Sequence, residues 1–114
     1  MDLKPVHLTE ENFDQEAKQA EVPVFIDFWA SWCAPCMMMA PVFEELAAEY
    51  HESGRAKLCK LSTEEYPGLA QEYGIRGIPT LLVLYKGQEV DRIVGFAPKD
   101  IIKQKMEEAI AKAR

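Results

Sequence analysis

The sequence has no long hydrophobic run and no excess of basic residues. Its longest apolar stretches are residues 22–30, interrupted by Asp27, and residues 78–85. Both are far shorter than the roughly 20 residues that a membrane-spanning helix needs, so we expect no membrane partner. The formal net charge of −6 argues against nucleic acid as the main partner, because phosphate binding requires clustered lysine and arginine.

The chain also has few cysteines, three in 114 residues, and no recognisable secretory signal. Residues 1–22 contain no basic segment followed by an apolar one, which favours a cytoplasmic location. An odd number of cysteines in such a chain does not indicate a disulfide framework. The length fits a single domain over residues 1–114, and the share of hydrophobic residues, 48%, excludes a disordered chain.

Strand-like and helix-like segments alternate and predict an α/β fold of order β-α-β-α-β-α-β-β-α, with helices on both sides of a mixed sheet. The nearly continuous apolar run at 22–30 is typical of a central strand that is buried on both faces. Pro41 lies inside the helix predicted after this strand and is expected to kink it. The predicted strands are 5–8, 22–30, 56–61, 80–85 and 88–94. The predicted helices are 10–20 (capped by Thr9), 35–51, 64–73 and a last one opened by Pro98. The residues of the last helix that are expected to face inward are Ile102, Met106, Ala109, Ile110 and Ala113.

Two cysteines lie in the segment Trp32-Cys33-Ala34-Pro35-Cys36, directly after the buried strand and at the start of a helix. Unpaired backbone N–H groups at a helix N-terminus favour an anion. The Cys33 thiol should therefore ionise more easily than a free cysteine, whose pKa is about 8.5, and the thiolate is the attacking species in disulfide exchange. Cys36 lies one helical turn further and is expected to resolve a mixed disulfide, while Trp32 offers an apolar platform to a partner.

A zinc site or a merely structural cysteine pair is the alternative interpretation. A tetrahedral zinc site needs four ligands, whereas His7 and His51 show no ligand spacing and Cys59 stands alone. We therefore expect no bound metal, and we expect Cys59 to be a small buried hydrophobic residue in a strand.

Four segments together resemble the thioredoxin family: FIDFWASWCAPC, the helix proline Pro41, YGIRGIPTLLVLYKG and VGF. The resemblance covers residues 5–112 and implies a thioredoxin fold, with a mixed central sheet of about five strands flanked by four helices. It also implies a thiol–disulfide oxidoreductase that acts on disulfide-containing proteins, needs no cofactor and is reduced by a thioredoxin reductase. A monomer is expected.

The resemblance assigns roles to two further residues. Asp27 is the only charged residue of an apolar strand, where burial raises the pKa of a carboxyl group. By resemblance it exchanges a proton with Cys36, and Lys60 on the third strand tunes that acid. A hydrogen-bonded structural acid and a lysine that extends its charge to solvent are the alternatives.

The resemblance also implies a cis peptide bond before Pro79, facing the cysteine pair. Such a bond would turn the backbone of Ile78 toward an incoming peptide, which could pair with it as a strand does. Gly77 would allow close backbone approach there, and Gly95 has a similar part in the family's groove, although a strand-terminating glycine is an equally good interpretation without the resemblance. The predicted substrate-binding set is Trp32, Ala34, Pro35, Gly77, Ile78, Pro79 and Gly95.

Three features depart from the family pattern. Ala34 replaces the glycine of W-C-G-P-C and should stiffen the turn. Met37 replaces a common lysine and removes a positive charge near the pair; Met37 and Met38 are expected to be exposed. Ser62-Thr63-Glu64 stands where N-x-D is usual, which leaves partner choice open. A thiol oxidase or isomerase, and a non-catalytic binding module of the same fold, remain alternative functions.

Overall fold

A five-stranded mixed sheet lies at the centre of the protein, which a computed structural model describes over residues 2–113. The elements in chain order are β1 (Val6–His7), a π-helix (Asp14–Lys18), β2 (Val24–Trp29), α1 (Ala34–Ser53), β3 (Lys57–Ser62), α2 (Pro67–Glu72), β4 (Thr80–Tyr85), β5 (Gln88–Val94) and α3 (Lys99–Lys112). The strand order is β1-β3-β2-β4-β5. β3 is parallel to β1 and β2, whereas β4 is antiparallel to β2 and β5. This is the predicted thioredoxin fold.

The central strand β2 is buried on both faces, as its continuous apolar run predicts. Its alternating side chains separate two apolar layers. Phe25 faces the layer formed with α1 and α3, and Ile26 faces the layer formed with the π-helix and α2. By the same alternation Asp27 lies on the face covered by α1, which is the helix that begins at the cysteine pair.

The largest difference from the predicted elements lies at residues 10–20. The amphipathic helix predicted there is shorter than expected, and its regular part is a five-residue π-helix at Asp14–Lys18. Thr9 does cap a turn, because its hydroxyl accepts the Asn12 N–H at 3.1 Å while the Asn12 side chain accepts the Thr9 N–H at 2.7 Å. Residues 10–12 are used in that turn, and the Gln19 N–H then reaches the carbonyl of Asp14, which gives a wider helical turn.

The other helices agree with the predictions more closely. α1 starts one residue before the predicted boundary and continues through Pro41, and the kink expected there stays a prediction. α2 is shorter than predicted, because residues 63–65 form the turn that leads into it. Pro98 is the cap of α3 rather than its first residue, and Ala113 is the half-buried C-cap. Within residues 2–113, no helix combines the length and apolar character needed to cross a bilayer.

Candidate active site

The cysteine pair lies where β2 ends and α1 begins. Cys33 is the N-cap of α1, and its extended backbone lets its sulfur accept the Cys36 N–H at 3.2 Å. The N–H of Cys33 donates to the carbonyl of Ala30 at 3.2 Å, and the Cys33 carbonyl accepts the Met37 N–H at 3.1 Å. The predicted position of Cys33 at the start of a helix is confirmed, and the helix directs a backbone N–H at its sulfur.

Cys33 and Cys36 form a disulfide, with 5.2 Å between their Cα atoms. Both residues are buried and pack with Ala30, against the partly buried Trp29 and Ile78. The third cysteine, Cys59, is fully buried on the opposite face of the sheet, and burial raises the pKa of its thiol to about 12. Cys59 therefore lies apart from the pair, and it is the buried residue that its strand position predicts.

The peptide bond between Ile78 and Pro79 is cis, as the resemblance implies. The Ile78 carbonyl oxygen lies 3.7 Å from the sulfur of Cys33. The Pro79 carbonyl accepts the Gly95 N–H at 2.8 Å, which holds the end of β5 beside this loop. Gly95 has a φ of +92°, a conformation that favours glycine. Gly77 has no such φ, and a Cβ atom there would make only an ordinary 3.7 Å contact with Val94.

Asp27 is fully buried in the strand that leads to the cysteine pair. Neither of its carboxylate oxygens has a hydrogen-bond partner among the described residues. Burial raises the pKa of this carboxyl group to about 6, and the positive charge of Lys60 opposes part of that rise. Among the described residues Asp27 thus lacks the hydrogen bonds expected of a structural acid, and its raised pKa makes it a candidate for proton transfer.

Lys60 pairs in register with Asp27 on the neighbouring strand. Its ammonium group lies 4.8 Å from the centre of the Trp29 ring, which places it over an aromatic face rather than in a direct ion pair with Asp27. A cavity of about 110 Å³ opens beside it, lined by both Lys60 and Trp29, with Ser62 and Glu65 among others. The positive charge of Lys60 therefore lowers the pKa of Asp27 without a direct ion pair between the two side chains in the described residues.

Exposed apolar side chains surround the entrance to the disulfide. Trp32 is 73% exposed and Met38 61%, and Met37 is exposed as predicted. Ala34 and Pro35 are also exposed, on the first turn of α1. Two exposed apolar residues that were not predicted, Val94 and Phe96, lie on either side of Gly95, and their position in the VGF motif could have indicated them.

Comparison with known proteins decides the family. The thioredoxin family model matches residues 4–108. The chain is similar to thioredoxin 1 of Nostoc sp., with 47% identity over 100 residues that cover 88% of this chain and 92% of the relative. It is also 47% identical over 102 residues to a thioredoxin of Chlorobaculum thiosulfatiphilum, covering 90% and 93% of the two chains. The chain belongs to the thioredoxin family. It is a thiol–disulfide oxidoreductase whose redox-active centre is the Cys33–Cys36 pair.

A solved structure agrees with this thioredoxin assignment. A mutant thioredoxin from Halobacterium salinarum NRC-1 superimposes with a TM-score of 0.84 at 32% identity, covering 95% of this chain and 92% of that one. As in thioredoxins generally, the partners of this chain are disulfide-containing proteins and a reductase.

One contact of this thioredoxin was not predicted from the sequence at all. The carboxylate of Glu64 accepts hydrogen bonds from the backbone N–H of Ser31 at 2.5 Å and from its hydroxyl at 2.7 Å. These bonds lower the pKa of Glu64. The indole N–H of Trp29, two residues before Ser31 in the chain, is buried and has no hydrogen-bond partner within the described part of the chain. The unusual Ser62-Thr63-Glu64 segment was the only signal in the sequence for the contact between Glu64 and Ser31.

Proposed function

We propose that the chain reduces protein disulfides with Cys33 as the nucleophile and Cys36 as the resolving cysteine. The Cys33 thiolate attacks one sulfur of the substrate disulfide, which forms a mixed disulfide and releases the other substrate sulfur as a thiolate that takes a proton from solvent. The Cys36 thiolate then attacks the Cys33 sulfur and releases the second substrate thiolate. Two electrons pass to the substrate, and Cys33 and Cys36 are left as the disulfide.

The observation that carries this proposal is the placement of the pair at the N-terminus of α1. The sulfur of Cys33 accepts the Cys36 N–H at 3.2 Å, and the same contact, with the helix dipole, would stabilise a thiolate. Cys36 is one turn away, so the resolving attack is intramolecular. No cofactor enters this scheme, because the cysteine pair holds the electrons.

Asp27 is the proposed proton acceptor for Cys36, and Lys60 the residue that tunes it. With a pKa of about 6, the Asp27 carboxyl group is mostly ionised at neutral pH and can accept a proton from the Cys36 thiol. Strand alternation directs the side chains of Asp27 and Lys60 to the face covered by α1, the helix that carries Cys36. The charge of Lys60 favours the ionised form and so keeps Asp27 ready to act as a base.

A substrate chain is proposed to lie across the exposed surface around Cys33. The backbone of Ile78 at the cis bond offers strand-like hydrogen bonds, and Trp32 offers an apolar contact. Gly95 supports this loop from the side through its bond to the Pro79 carbonyl. The remaining proposed binding residues are Ala34, Pro35, Gly77 and Pro79.

Insulin reduction by dithiothreitol tests the proposal, with wild type compared with Cys36→Ser and Cys33→Ser. We expect both variants to lose turnover, and only Cys36→Ser to accumulate a mixed disulfide with the substrate. Equal rates for wild type and Cys36→Ser would overturn the assignment and favour a binding module. The reduction potential distinguishes a disulfide reductase from a thiol oxidase or isomerase. We expect a value of about −270 mV, which is characteristic of thioredoxins, whereas a value of about −120 mV would indicate an oxidase.

Four finer statements belong to the same proposal: the reductase partner is a thioredoxin reductase, the protein is a monomer, it works in the cytoplasm, and residues 1–114 are one domain. The unpaired Cys59 favours a reducing compartment. Turnover with a purified thioredoxin reductase, sedimentation of the protein and fractionation of cells test the first three.

A further inference from the structure

Four hydrogen bonds join the end of β2 and the residues just after it to the loop that follows β3, next to the active site. The Trp29 carbonyl accepts the N–H of Thr63 at 2.9 Å and its hydroxyl at 3.2 Å. One carboxylate oxygen of Glu64 accepts the N–H of Ser31 at 2.5 Å and its hydroxyl at 2.7 Å. The loop that follows β3 therefore holds the chain in place between the end of β2 and the cysteine pair.

The segment held in this way carries Trp32. On one side of Trp32, Cys33 is fixed by α1 and by its bond to Ala30. On the other side, Ser31 is exposed, and its N–H and hydroxyl both depend on Glu64. The Trp32 side chain is 73% exposed and forms no hydrogen bond with any described residue, so its direction depends on the backbone at each side.

We propose that Glu64 is a positioning residue that fixes the backbone of Ser31 and thereby presents Trp32 to protein substrates. The inference rests on the proposed role of Trp32 in substrate binding. The bonds that would stabilise a Cys33 thiolate come from α1 and do not involve Glu64. Glu64 therefore acts on the docking of a macromolecular substrate and leaves the chemistry at sulfur unchanged. The bonds from Ser31 lower the pKa of Glu64, so its carboxylate is ionised and able to accept both bonds at neutral pH.

The test compares a protein disulfide with a small one. Glu64→Ala removes both bonds, and Glu65→Ala is the matched control, because Glu65 is an exposed acid at the next position whose carboxylate has no hydrogen bond or ion pair within residues 2–113. Each variant is assayed with insulin, which must dock, and with Ellman's reagent, a small disulfide that needs little docking. The pH profile of Cys33 alkylation reports its thiol pKa directly.

We expect Glu64→Ala to raise KM for insulin by about fivefold with little change in kcat, because it removes binding common to the ground state and the transition state. The rate with Ellman's reagent and the alkylation profile should match wild type, and Glu65→Ala should match wild type in all assays. Equal slowing with both disulfides, a shifted alkylation profile, the same KM increase in Glu65→Ala, or no effect at all would each overturn the proposal.

A second variant keeps the test decisive if Glu64→Ala does not fold. Ser31→Ala removes the hydroxyl bond and leaves the N–H bond, so about a twofold increase in KM for insulin is expected. An unchanged KM in Ser31→Ala would then contradict the proposal. Failure of wild type itself to reduce insulin would instead reject the proposed function.

Discussion

Asp27 is the residue at which the stability of this protein and its chemistry conflict. A carboxyl group without hydrogen-bond partners in a buried strand disfavours its own charged form. The proposed proton transfer nevertheless requires that charged form at neutral pH. The nearby charge of Lys60 offsets only part of the cost, since the pKa still rises to about 6.

Asp27→Asn should therefore stabilise the oxidised protein in a pH-dependent way. The folded pKa of about 6 lies above the ordinary 3.8, so the folded state binds the proton more tightly than the unfolded chain. Ionised Asp27 destabilises the fold above the folded pKa, and this effect disappears as the pH falls below 3.8. At pH 8 the variant should gain as much as about 3 kcal/mol in free energy of unfolding.

Urea denaturation at pH 8 and pH 4 measures this difference. The gain should fall to about 0.5 kcal/mol at pH 4, and an equal gain at both pH values would contradict the pKa assigned to Asp27. Glu10→Gln, at an exposed acid, is the control and should change neither curve.

His51 makes a different kind of buried polar contact. Its Nε2 accepts the Leu58 N–H at 2.9 Å, so Nδ1 carries the proton and donates to the carbonyl of Asp2 at 3.0 Å. His51→Ala leaves the buried Leu58 N–H without a partner and should lower the free energy of unfolding by about 1–3 kcal/mol. His7→Ala, at an exposed position, should have little effect. Equal midpoints for the two variants in urea would show that the contact does not stabilise the fold.

At the scale of elements, two glycines beside the cis bond should respond differently to the same substitution. Gly95→Ala places a side chain at a φ of +92° and should cost about 1–2 kcal/mol of stability. It should also slow insulin reduction, because the strained backbone at residue 95 would shift the N–H that the Pro79 carbonyl accepts. Gly77→Ala meets only a 3.7 Å contact and should leave the thermal midpoint unchanged. A reduced midpoint in Gly77→Ala would mean that this loop is packed more tightly than the structure shows.

The elements that were predicted correctly are those whose signal is local. The run at 22–30 carries its own evidence for a buried strand, and the W-C-A-P-C motif carries its own evidence for a helix start. The helix expected at 10–20 is shorter than predicted, because residues 10–12 form a turn capped by Thr9 and only Asp14–Lys18 forms a regular helix, of the π type. The contact between Ser31 and Glu64 could not be predicted, since it joins two exposed residues that are 33 positions apart.

At the scale of the whole molecule, the two apolar layers share one sheet. Each of the three inner strands, β2, β3 and β4, contributes side chains to both layers, so neither layer can lose its packing while the other keeps the strands in place. The radius of gyration, 12.6 Å, is close to the value of about 13 Å expected for one domain of this length. Both features support the proposal of a single domain.

Truncation of one aromatic residue in each layer tests that coupling. Phe43 is fully buried between α1 and the sheet, and Phe13 is buried on the other face against Tyr73, with ring centroids 5.6 Å apart. Phe43→Ala and Phe13→Ala should each lower the free energy of unfolding by about 3–5 kcal/mol. In calorimetry each variant should still show one transition whose calorimetric and van't Hoff enthalpies agree, because the shared strands unfold together. A second transition in either variant would show that its layer melts separately, and the single-domain proposal would then be wrong.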